Sequence, residues 1–174
     1  LWELDRTLYD WTCIKILSLF HPEIPPHWEF EIAFQLISPY SDHKYDPKNR
    51  GWIHVDKGGS SFGGIIYLNK DPEKDTGTSI YKQKKGWSSQ IYSALSVKER
   101  FYTGQEVSDE EYEQAWHLIQ SQYEETMAVE NVYNRMMLFH CNTFHGVKTF
   151  GKTQDRLTIS FFCRDAAVQP PLFR

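Results

Sequence analysis

The sequence predicts a mainly β fold, an all-β barrel or jelly roll with flanking and inserted α-helices. Short apolar segments with an alternating pattern occur both before and after a polar, helix-like stretch at residues 82–130. Turn-forming residues separate these segments, as they do in β-sandwiches and barrels. The 174 residues are 40% hydrophobic and 16% aromatic, which is enough to build a core and too apolar for a disordered chain. This length predicts one domain over residues 1–174.

The chain begins with a segment that fits two structures. Its helical interpretation depends on the spacing of four apolar residues, Leu1, Leu4, Leu8 and Trp11. Residues 14–19 fit a strand equally well. Prolines at positions 22, 25 and 26 end the segment, because proline removes a backbone donor and restricts its neighbour. Apolar, mostly alternating runs then predict four strands, at about residues 30–36, 52–56, 64–69 and 76–81.

A long helix is predicted inside the polar stretch. Ser108 and Glu111 form a capping box, in which each side chain can bond the other residue's backbone N–H. Acidic residues in the first turn suit the positive end of the helix dipole. One apolar face follows at helical spacing, formed by Tyr112, Ala115, Trp116, Ile119 and Tyr123. These signals predict a helix over residues 109–127. Three further strands are predicted at residues 136–139, 143–147 and 156–162.

Charge and composition exclude several classes of protein. The net charge is −4, so a nucleic-acid partner is not expected. The chain has no run of 18 apolar residues, so no membrane span is expected, and its first residues do not resemble a signal peptide. The three cysteines, Cys13, Cys141 and Cys163, form no CxxC pair. We therefore expect reduced thiols and a cytoplasmic protein rather than a structural zinc site.

The most informative motif is His54-Val55-Asp56. On a strand, residues i and i+2 point to the same face, so this histidine and carboxylate can reach one metal ion. With a second, distant histidine they form a facial triad, which leaves three positions of Fe(II) open for a cosubstrate and O2. A rival, His27-Trp28-Glu29, follows two prolines without the same strand-turn-strand context. Taken alone, His54 and Asp56 also fit a surface pair.

The order of the later motifs suggests a family. A YLN strand at residues 67–69 follows the HxD motif, and His145 and Arg156 come much later, with Arg156 opening the last strand. In this order the motifs resemble the prolyl-4-hydroxylase-like branch of the Fe(II)- and 2-oxoglutarate-dependent dioxygenases, over about residues 30–81 and 131–163. The resemblance implies a double-stranded β-helix, a jelly-roll variant. It also implies Fe(II) as cofactor and 2-oxoglutarate and O2 as cosubstrates.

The resemblance also implies roles for single residues. His54, Asp56 and His145 would be the iron ligands and the catalytic centre. Arg156 would pair with the distal carboxylate of 2-oxoglutarate, a role that suits a guanidinium because it forms two parallel hydrogen bonds to a carboxylate. Tyr67 would donate its hydroxyl to the same carboxylate, and Thr158, on the strand face of Arg156, could add a third hydrogen bond.

A second histidine competes for the third ligand position, and one motif differs from the family pattern. His140 is the rival of His145 as the third ligand, and the spacing to Arg156 favours His145. Many members of the family carry Gly-Gly on the strand after the YLN motif, whereas this chain has Gly77-Thr78. This difference is expected to reshape the rim of the site without changing the iron ligands.

The resemblance implies an enzyme that hydroxylates a C–H bond of an unidentified substrate, either a peptidyl residue or a small molecule. The alternative from another class is a non-enzymatic jelly-roll binding module for a sugar or a protein partner. A zinc-dependent hydrolase using the same three ligands is a weaker option, because no HExxH-type motif supplies a general base. Substrate specificity is expected to come from three loops, at residues 38–51, 57–63 and 82–107.

Overall fold

Two antiparallel sheets form the framework of the protein. The computed structural model describes residues 1–20, 27–39, 51–56, 62–84, 86 and 89–166. Within these residues the helices are α1 (Arg6–Leu17), α2 (Ser89–Tyr102) and α3 (Asp109–Ser121). The strands are β1 (Trp28–Ile37), β2 (Phe62–Tyr67), β3 (Thr78–Gln83), β4 (Tyr123–Val129), β5 (Met136–His140), β6 (Phe144–Gly146) and β7 (Arg156–Ala166). The mainly β character predicted from the sequence is therefore confirmed.

The larger sheet has the strand order β1-β7-β2-β5, and the smaller has the order β4-β3-β6. Neighbouring strands are antiparallel in both sheets. The segment 51–56 adds an isolated bridge to β6, between His54 and His145. In place of the predicted strand at residues 52–56, the structure therefore has an irregular segment that touches a sheet at one point. No helix among the described residues is long and apolar enough to cross a bilayer.

One face of strand β7 packs in the main hydrophobic core, and its other face lines a cavity. Ile159, Phe161 and Cys163 lie in a buried cluster with the inner face of α1. Alternate residues, including Arg156 and Ser160, point to the other side of the sheet and line a cavity. This two-faced arrangement follows the period of a strand, and it agrees with the prediction that the apolar and polar residues of this strand face opposite sides.

Helix α1 extends over both halves of the segment that the sequence left ambiguous, so residues 14–17 are helical and not a strand. The buried face of this helix differs from the predicted apolar spacing. Leu4 is 80% exposed and Trp11 is 58% exposed, whereas Cys13 is buried. The Tyr9 hydroxyl donates to the Phe30 carbonyl at 2.8 Å, which ties the helix to β1 through its other side.

The predicted helix over residues 109–127 is wrong at its C-terminal end. The capping box of α3 is present as expected, but the helix ends at Ser121, and residues 123–129 form β4. Strand β4 pairs with β3 from Thr78↔Val129 to Gln83↔Tyr123. The hydrogen bonds of this long-range pairing compete with continuation of the helix. The polar stretch at residues 82–130 is therefore two helices followed by a strand, and not a purely helical insertion.

The two inserted helices build a second core beneath the segment 51–56. Trp52 packs with Tyr112 in an edge-to-face arrangement, with ring centroids 5.5 Å apart. The buried members of this cluster are Trp52, Ile91, Ala94, Tyr112, Ala115 and Ile119. The helices thus support the short segment that carries His54 and Asp56.

Candidate metal centre

Backbone hydrogen bonds bring the two histidines of the predicted triad together. The His54 N–H donates to the His145 carbonyl at 3.0 Å, and the His145 N–H donates to the His54 carbonyl at 2.9 Å. The Asp56 N–H donates to the Cys141 carbonyl at 3.0 Å. These three bonds hold the segment 51–56 against β6 and the preceding turn, so residues far apart in sequence share one site.

The side chains of His54, Asp56 and His145 converge. Asp56 Oδ1 lies 3.7 Å from His54 Nε2 and 3.6 Å from His145 Nε2. One possible ligand atom from each residue lies within 4.8 Å of the others. Two atoms that each bind one ion at about 2.1 Å, a typical metal–imidazole distance, can be at most about 4.2 Å apart. The two distances to Asp56 fall inside this limit.

The hydrogen bonds at Nδ1 leave Nε2 of both imidazoles as the candidate ligand atom. His54 Nδ1 lies 2.8 Å from the Trp52 carbonyl, and His145 Nδ1 lies 2.9 Å from the Thr143 carbonyl. A carbonyl can only accept, so each Nδ1 carries the proton and donates it. In the neutral tautomer Nε2 then has a lone pair, and in both residues this atom lies within 3.7 Å of Asp56 Oδ1. A second hydrogen bond of this kind is the usual way in which a protein orients metal-binding histidines.

The charges at the site suit a cation. Asp56 Oδ2 is buried and has no hydrogen-bond partner among the described residues. Burial raises the pKa of the Asp56 carboxyl, while His145 opposes the rise. Desolvation and the neighbouring His145 lower the pKa of His54 to about 4. His54 retains 46% side-chain exposure, but it lines a cavity and does not project from the surface. Two imidazoles whose Nε2 atoms face a carboxyl group with an unpaired oxygen fit a divalent ion.

The triad lies in a cavity of about 520 Å³ between the two sheets. Strands of both sheets line it, with Ile65 and Phe162 on one side and Thr78 and Gly146 on the other. Helix α2 contributes Lys98 and Tyr102 to the wall. Asp56 is the only carboxylate among the described residues that line the cavity. The volume is sufficient for a small organic molecule beside a metal ion.

Arg156 lines the same cavity and is only 3% exposed. Its Nε donates to the Thr76 carbonyl at 2.8 Å, and its guanidinium carbon lies 5.6 Å from the Tyr67 ring centroid. Its Nη2 is buried and has no hydrogen-bond partner among the described residues. Burial lowers the pKa of Arg156, but a guanidinium stays charged in proteins. The wall of the cavity that contains the triad therefore includes a buried cation with one unpaired donor nitrogen.

The structure places Tyr67 and Thr158 next to Arg156, with partners of their own. The Tyr67 hydroxyl donates to Thr78 Oγ1 at 2.9 Å, and Thr158 Oγ1 lies 3.4 Å from Gln35 Oε1. Both side chains are fully buried. Their predicted contacts with a bound carboxylate would require these hydrogen bonds to be shared or exchanged.

The structure explains both residues of the Gly77-Thr78 pair, which stands where many family members have Gly-Gly. A Cβ added at Gly77 would lie 1.9 Å from the Val129 carbonyl oxygen of β4, so a side chain there would push the strands apart. Thr78 is buried, lines the cavity and accepts the Tyr67 hydroxyl. The second position of the pair therefore has room for a polar side chain, whereas the first does not.

The rivals in the sequence lie outside the cluster. His140 ends β5, and its Nδ1 accepts from the Asn142 N–H at 3.1 Å in a local turn. His27 precedes β1. Neither histidine joins the group of His54, Asp56 and His145, which is the one cluster of this type within the described ranges.

Sequence reasoning missed some of the residues that shape the cavity. Lys98 and Tyr102 come from α2, inside the predicted specificity loop at residues 82–107, and Lys98 Nζ lies 5.2 Å from the Trp52 ring centroid. Gln35 also lines the cavity, and its alternation with the apolar residues of β1 was an available signal. Of the other two predicted loops, residues 40–50 and 57–61 lie outside the described residues.

Comparison with known proteins gives a family without a described activity. No curated protein matches the chain. A family model matches residues 48–162, a span that includes the three residues of the cluster, the helices α2 and α3, and Arg156. Because this match covers more than half of the 174 residues, the chain belongs to DUF6445, a family of unknown function.

Proposed function

We propose that this protein is an Fe(II)- and 2-oxoglutarate-dependent dioxygenase that hydroxylates a C–H bond of a small-molecule or peptidyl substrate. In this proposal the two antiparallel sheets are the halves of a jelly roll of the double-stranded β-helix type. A cavity lined by strands from both sheets supports that assignment.

His54, Asp56 and His145 would hold the iron through two neutral Nε2 atoms and one carboxylate. Fe(II) together with 2-oxoglutarate supplies the chemistry that activates O2 and yields succinate and CO2. The backbone carbonyls of Trp52 and Thr143 fix both imidazole rings, so the ligand set is oriented before any ion binds. Three ligands from one side leave the other positions of an octahedral ion open.

The observation that carries the proposal is the buried, incompletely paired Arg156 on the wall of the same cavity. A metal-binding triad alone fits many proteins. A buried guanidinium whose Nη2 has no partner among the described residues requires an anion to offset its desolvation. 2-Oxoglutarate satisfies both features, because it offers a keto acid for the metal at one end and a carboxylate for Arg156 at the other.

A hydrolytic zinc site fits this cavity less well. A metal-dependent hydrolase needs a base that accepts a proton from the attacking water. The only carboxylate among the described lining residues is Asp56, which is itself placed to bind the metal. The cavity therefore supplies no second carboxylate for that role within the part of the chain that the structure describes.

An anaerobic titration of the apoprotein with Fe(II), followed by 2-oxoglutarate, tests the proposal. We expect a visible metal-to-ligand charge-transfer band that requires both components. The band should be lost in His145→Ala and retained in His140→Ala, a matched control whose histidine lies outside the cluster. Arg156→Ala should keep iron binding and weaken 2-oxoglutarate binding by about 100-fold, because two charge-assisted hydrogen bonds disappear.

Two results would contradict the proposal. If the wild-type protein retains no Fe(II) and shows no band, the triad does not hold the cofactor, and a non-enzymatic binding module explains the fold better. Equal 2-oxoglutarate affinity in wild type and Arg156→Ala would show that Arg156 does not bind the cosubstrate.

A further inference from the structure

Strand β7 begins at Arg156, and hydrogen bonds join this end of the strand to the turn that follows β2. We propose that Asn69 and Glu73 in this turn are positioning residues, which hold Arg156 in place for an anion in the cavity. We call the side chains of Asn69 and Glu73, together with the backbone of residues 151–157, the β7 clamp. The identity of the anion as 2-oxoglutarate rests on the function proposed above, whereas the clamp itself does not.

Asn69 holds the backbone on both sides of Arg156. Its Nδ2 donates to the Asp155 carbonyl at 2.8 Å, and its Oδ1 accepts from the Leu157 N–H at 2.9 Å. A backbone bond from the Leu68 N–H to the Leu157 carbonyl, at 3.0 Å, continues the contact. One amide side chain therefore fixes the peptide groups that flank Arg156, and with them the direction in which its side chain leaves the strand.

Glu73 binds the loop that precedes β7. Its carboxylate accepts the N–H groups of Lys152, Thr153 and Gln154 at 2.8 to 3.1 Å, and the Thr153 hydroxyl at 2.9 Å. Three consecutive amides around one anion form a concave nest. These bonds, the one from the Thr153 N–H first, lower the pKa of the Glu73 carboxyl to about 2. The carboxylate thus stays ionised and bound at neutral pH.

Gly151 allows this loop to close around the carboxylate. Its φ is +97°, and an added Cβ would lie 3.0 Å from Glu73 Oε1. Both the backbone conformation and the close approach therefore require glycine at this position.

The same turn also holds the guanidinium itself. Arg156 Nε donates to the Thr76 carbonyl at 2.8 Å, and the Thr76 hydroxyl donates back to the Glu73 carbonyl at 2.7 Å. Asn131 Nδ2 donates to Thr76 Oγ1 at 3.1 Å. The residues that anchor the backbone around Arg156 are thus linked to the acceptor of its side chain. Nη2 has no partner among the described residues, so these contacts leave one donor nitrogen of Arg156 unpaired.

The consequence for binding is preorganisation. A free arginine side chain has much rotamer freedom, and ordering it when a ligand binds costs affinity. The clamp fixes both ends of Arg156 before the ligand arrives. A residue that only stabilised the fold would change the melting temperature of the protein, whereas a positioning residue also changes the affinity for the anion.

Two readouts on Glu73→Ala test this role. The first is the hydrogen-exchange rate of the Arg156 Nε–H, followed by NMR in the protein without metal or 2-oxoglutarate. We expect exchange at least about tenfold faster than in wild type. The second is the dissociation constant of 2-oxoglutarate in the Fe(II) protein, which should rise by about tenfold with the charge-transfer band at an unchanged wavelength.

Further variants separate positioning from loss of fold. Glu73→Gln keeps an acceptor oxygen toward the same amides, so it should restore most of the wild-type affinity. Asn69→Asp keeps the acceptor for the Leu157 N–H but loses the donor to the Asp155 carbonyl, so it should weaken 2-oxoglutarate binding. This variant tests the clamp independently if Glu73→Ala does not fold. Glu124→Ala is the matched control, since this exposed carboxylate pairs with Lys82 away from the clamp, and both readouts should stay at wild-type values.

The outcomes separate the clamp from the proposed function. Unchanged Nε–H exchange and unchanged 2-oxoglutarate affinity in folded Glu73→Ala and Asn69→Asp would overturn the clamp. Faster Nε–H exchange together with a wild-type protein that shows no Fe(II)–2-oxoglutarate band would retain the clamp and overturn the dioxygenase proposal. Arg156 would then be held for a different anion.

Discussion

At Arg156, a charged side chain is 3% exposed and one terminal nitrogen has no partner among the described residues. Burial of a charge that is not fully compensated destabilises a fold. The chain nevertheless directs several hydrogen bonds to this position and its neighbours, through Asn69, Glu73 and Thr76. At the scale of a single residue, these hydrogen bonds stabilise one local conformation of Arg156, and the proposed function predicts that a bound anion offsets its cost.

Because the burial of this charge is unfavourable, replacement of Arg156 by an apolar residue should not destabilise the ligand-free protein. Arg156→Met should leave the free energy of unfolding of the ligand-free protein unchanged or raise it by about 1 kcal/mol, because an apolar chain of similar length replaces a buried charge. Stabilisation of the protein by 2-oxoglutarate should be lost. Urea unfolding with and without the ligand measures both effects.

The control for this measurement is Arg135→Met, because Arg135 is exposed and its side chain donates only to the Glu130 carbonyl among the hydrogen bonds of the described residues. Its substitution should change the free energy of unfolding little and leave the ligand effect intact. A loss of more than about 3 kcal/mol in ligand-free Arg156→Met, the loss expected on breaking a well-compensated buried pair, would instead show that the fold already satisfies this guanidinium.

At the scale of elements, helix α3 supports the segment that carries the candidate metal ligands His54 and Asp56. Trp116 Nε1 and Gln120 Nε2 both donate to the Gly51 carbonyl at 3.0 Å, three residues before His54. Trp52 packs against the same helix. The insertion thus contributes to the site indirectly, by fixing a segment that has only an isolated bridge to hold it in the sheet.

Gln120→Leu should therefore lower both stability and metal affinity. We expect a loss of about 1 kcal/mol in the free energy of unfolding, the typical net value of one hydrogen bond, and weaker binding of Co(II) used in place of Fe(II). Gln114→Leu on the same helix is the matched control, because the side chain of Gln114 is hydrogen-bonded only to exposed Glu110 among the described residues. If both variants bind Co(II) as tightly as wild type, α3 does not position the ligands.

At the scale of the whole molecule, the site joins parts of the chain that are far apart in sequence. His54 and Asp56 lie on one segment, His145 on β6 and Arg156 on β7. An ion that binds all three ligands binds only the folded chain. Metal binding must therefore stabilise the entire fold by mass action.

The size of this effect is predictable. At a free Co(II) concentration 100 times its dissociation constant, the free energy of unfolding should rise by about 2.7 kcal/mol. Chemical denaturation at several Co(II) concentrations measures it. Asp56→Asn, which removes the negative charge while keeping the shape, should abolish the increase. An equal increase in this variant would place the binding of Co(II) elsewhere on the chain.

The sequence alone was sufficient for features that depend on local rules. The alternating patterns predicted the strands of both sheets to within a few residues, except around residues 52–56 and 123–129. The capping box at Ser108 and Glu111 located the start of α3. The HxD motif selected two of the three members of the candidate metal cluster, because the i, i+2 spacing places two side chains on one side of an extended segment. Each of these signals lies within a few neighbouring residues.

The tertiary structure decided the features that depend on distant partners. Tyr123 begins a strand and does not extend α3, because β3 offers an edge with which β4 pairs. Leu4 and Trp11 have helical spacing but are exposed, because α1 packs through its other face. The spacing to Arg156 already favoured His145 over His140, and the bridge to His54, which joins β6 to the segment 51–56, is what brings His145 into the cluster. Local residue patterns determine where a chain can form helices and strands, whereas long-range pairing and burial determine which of their faces meet.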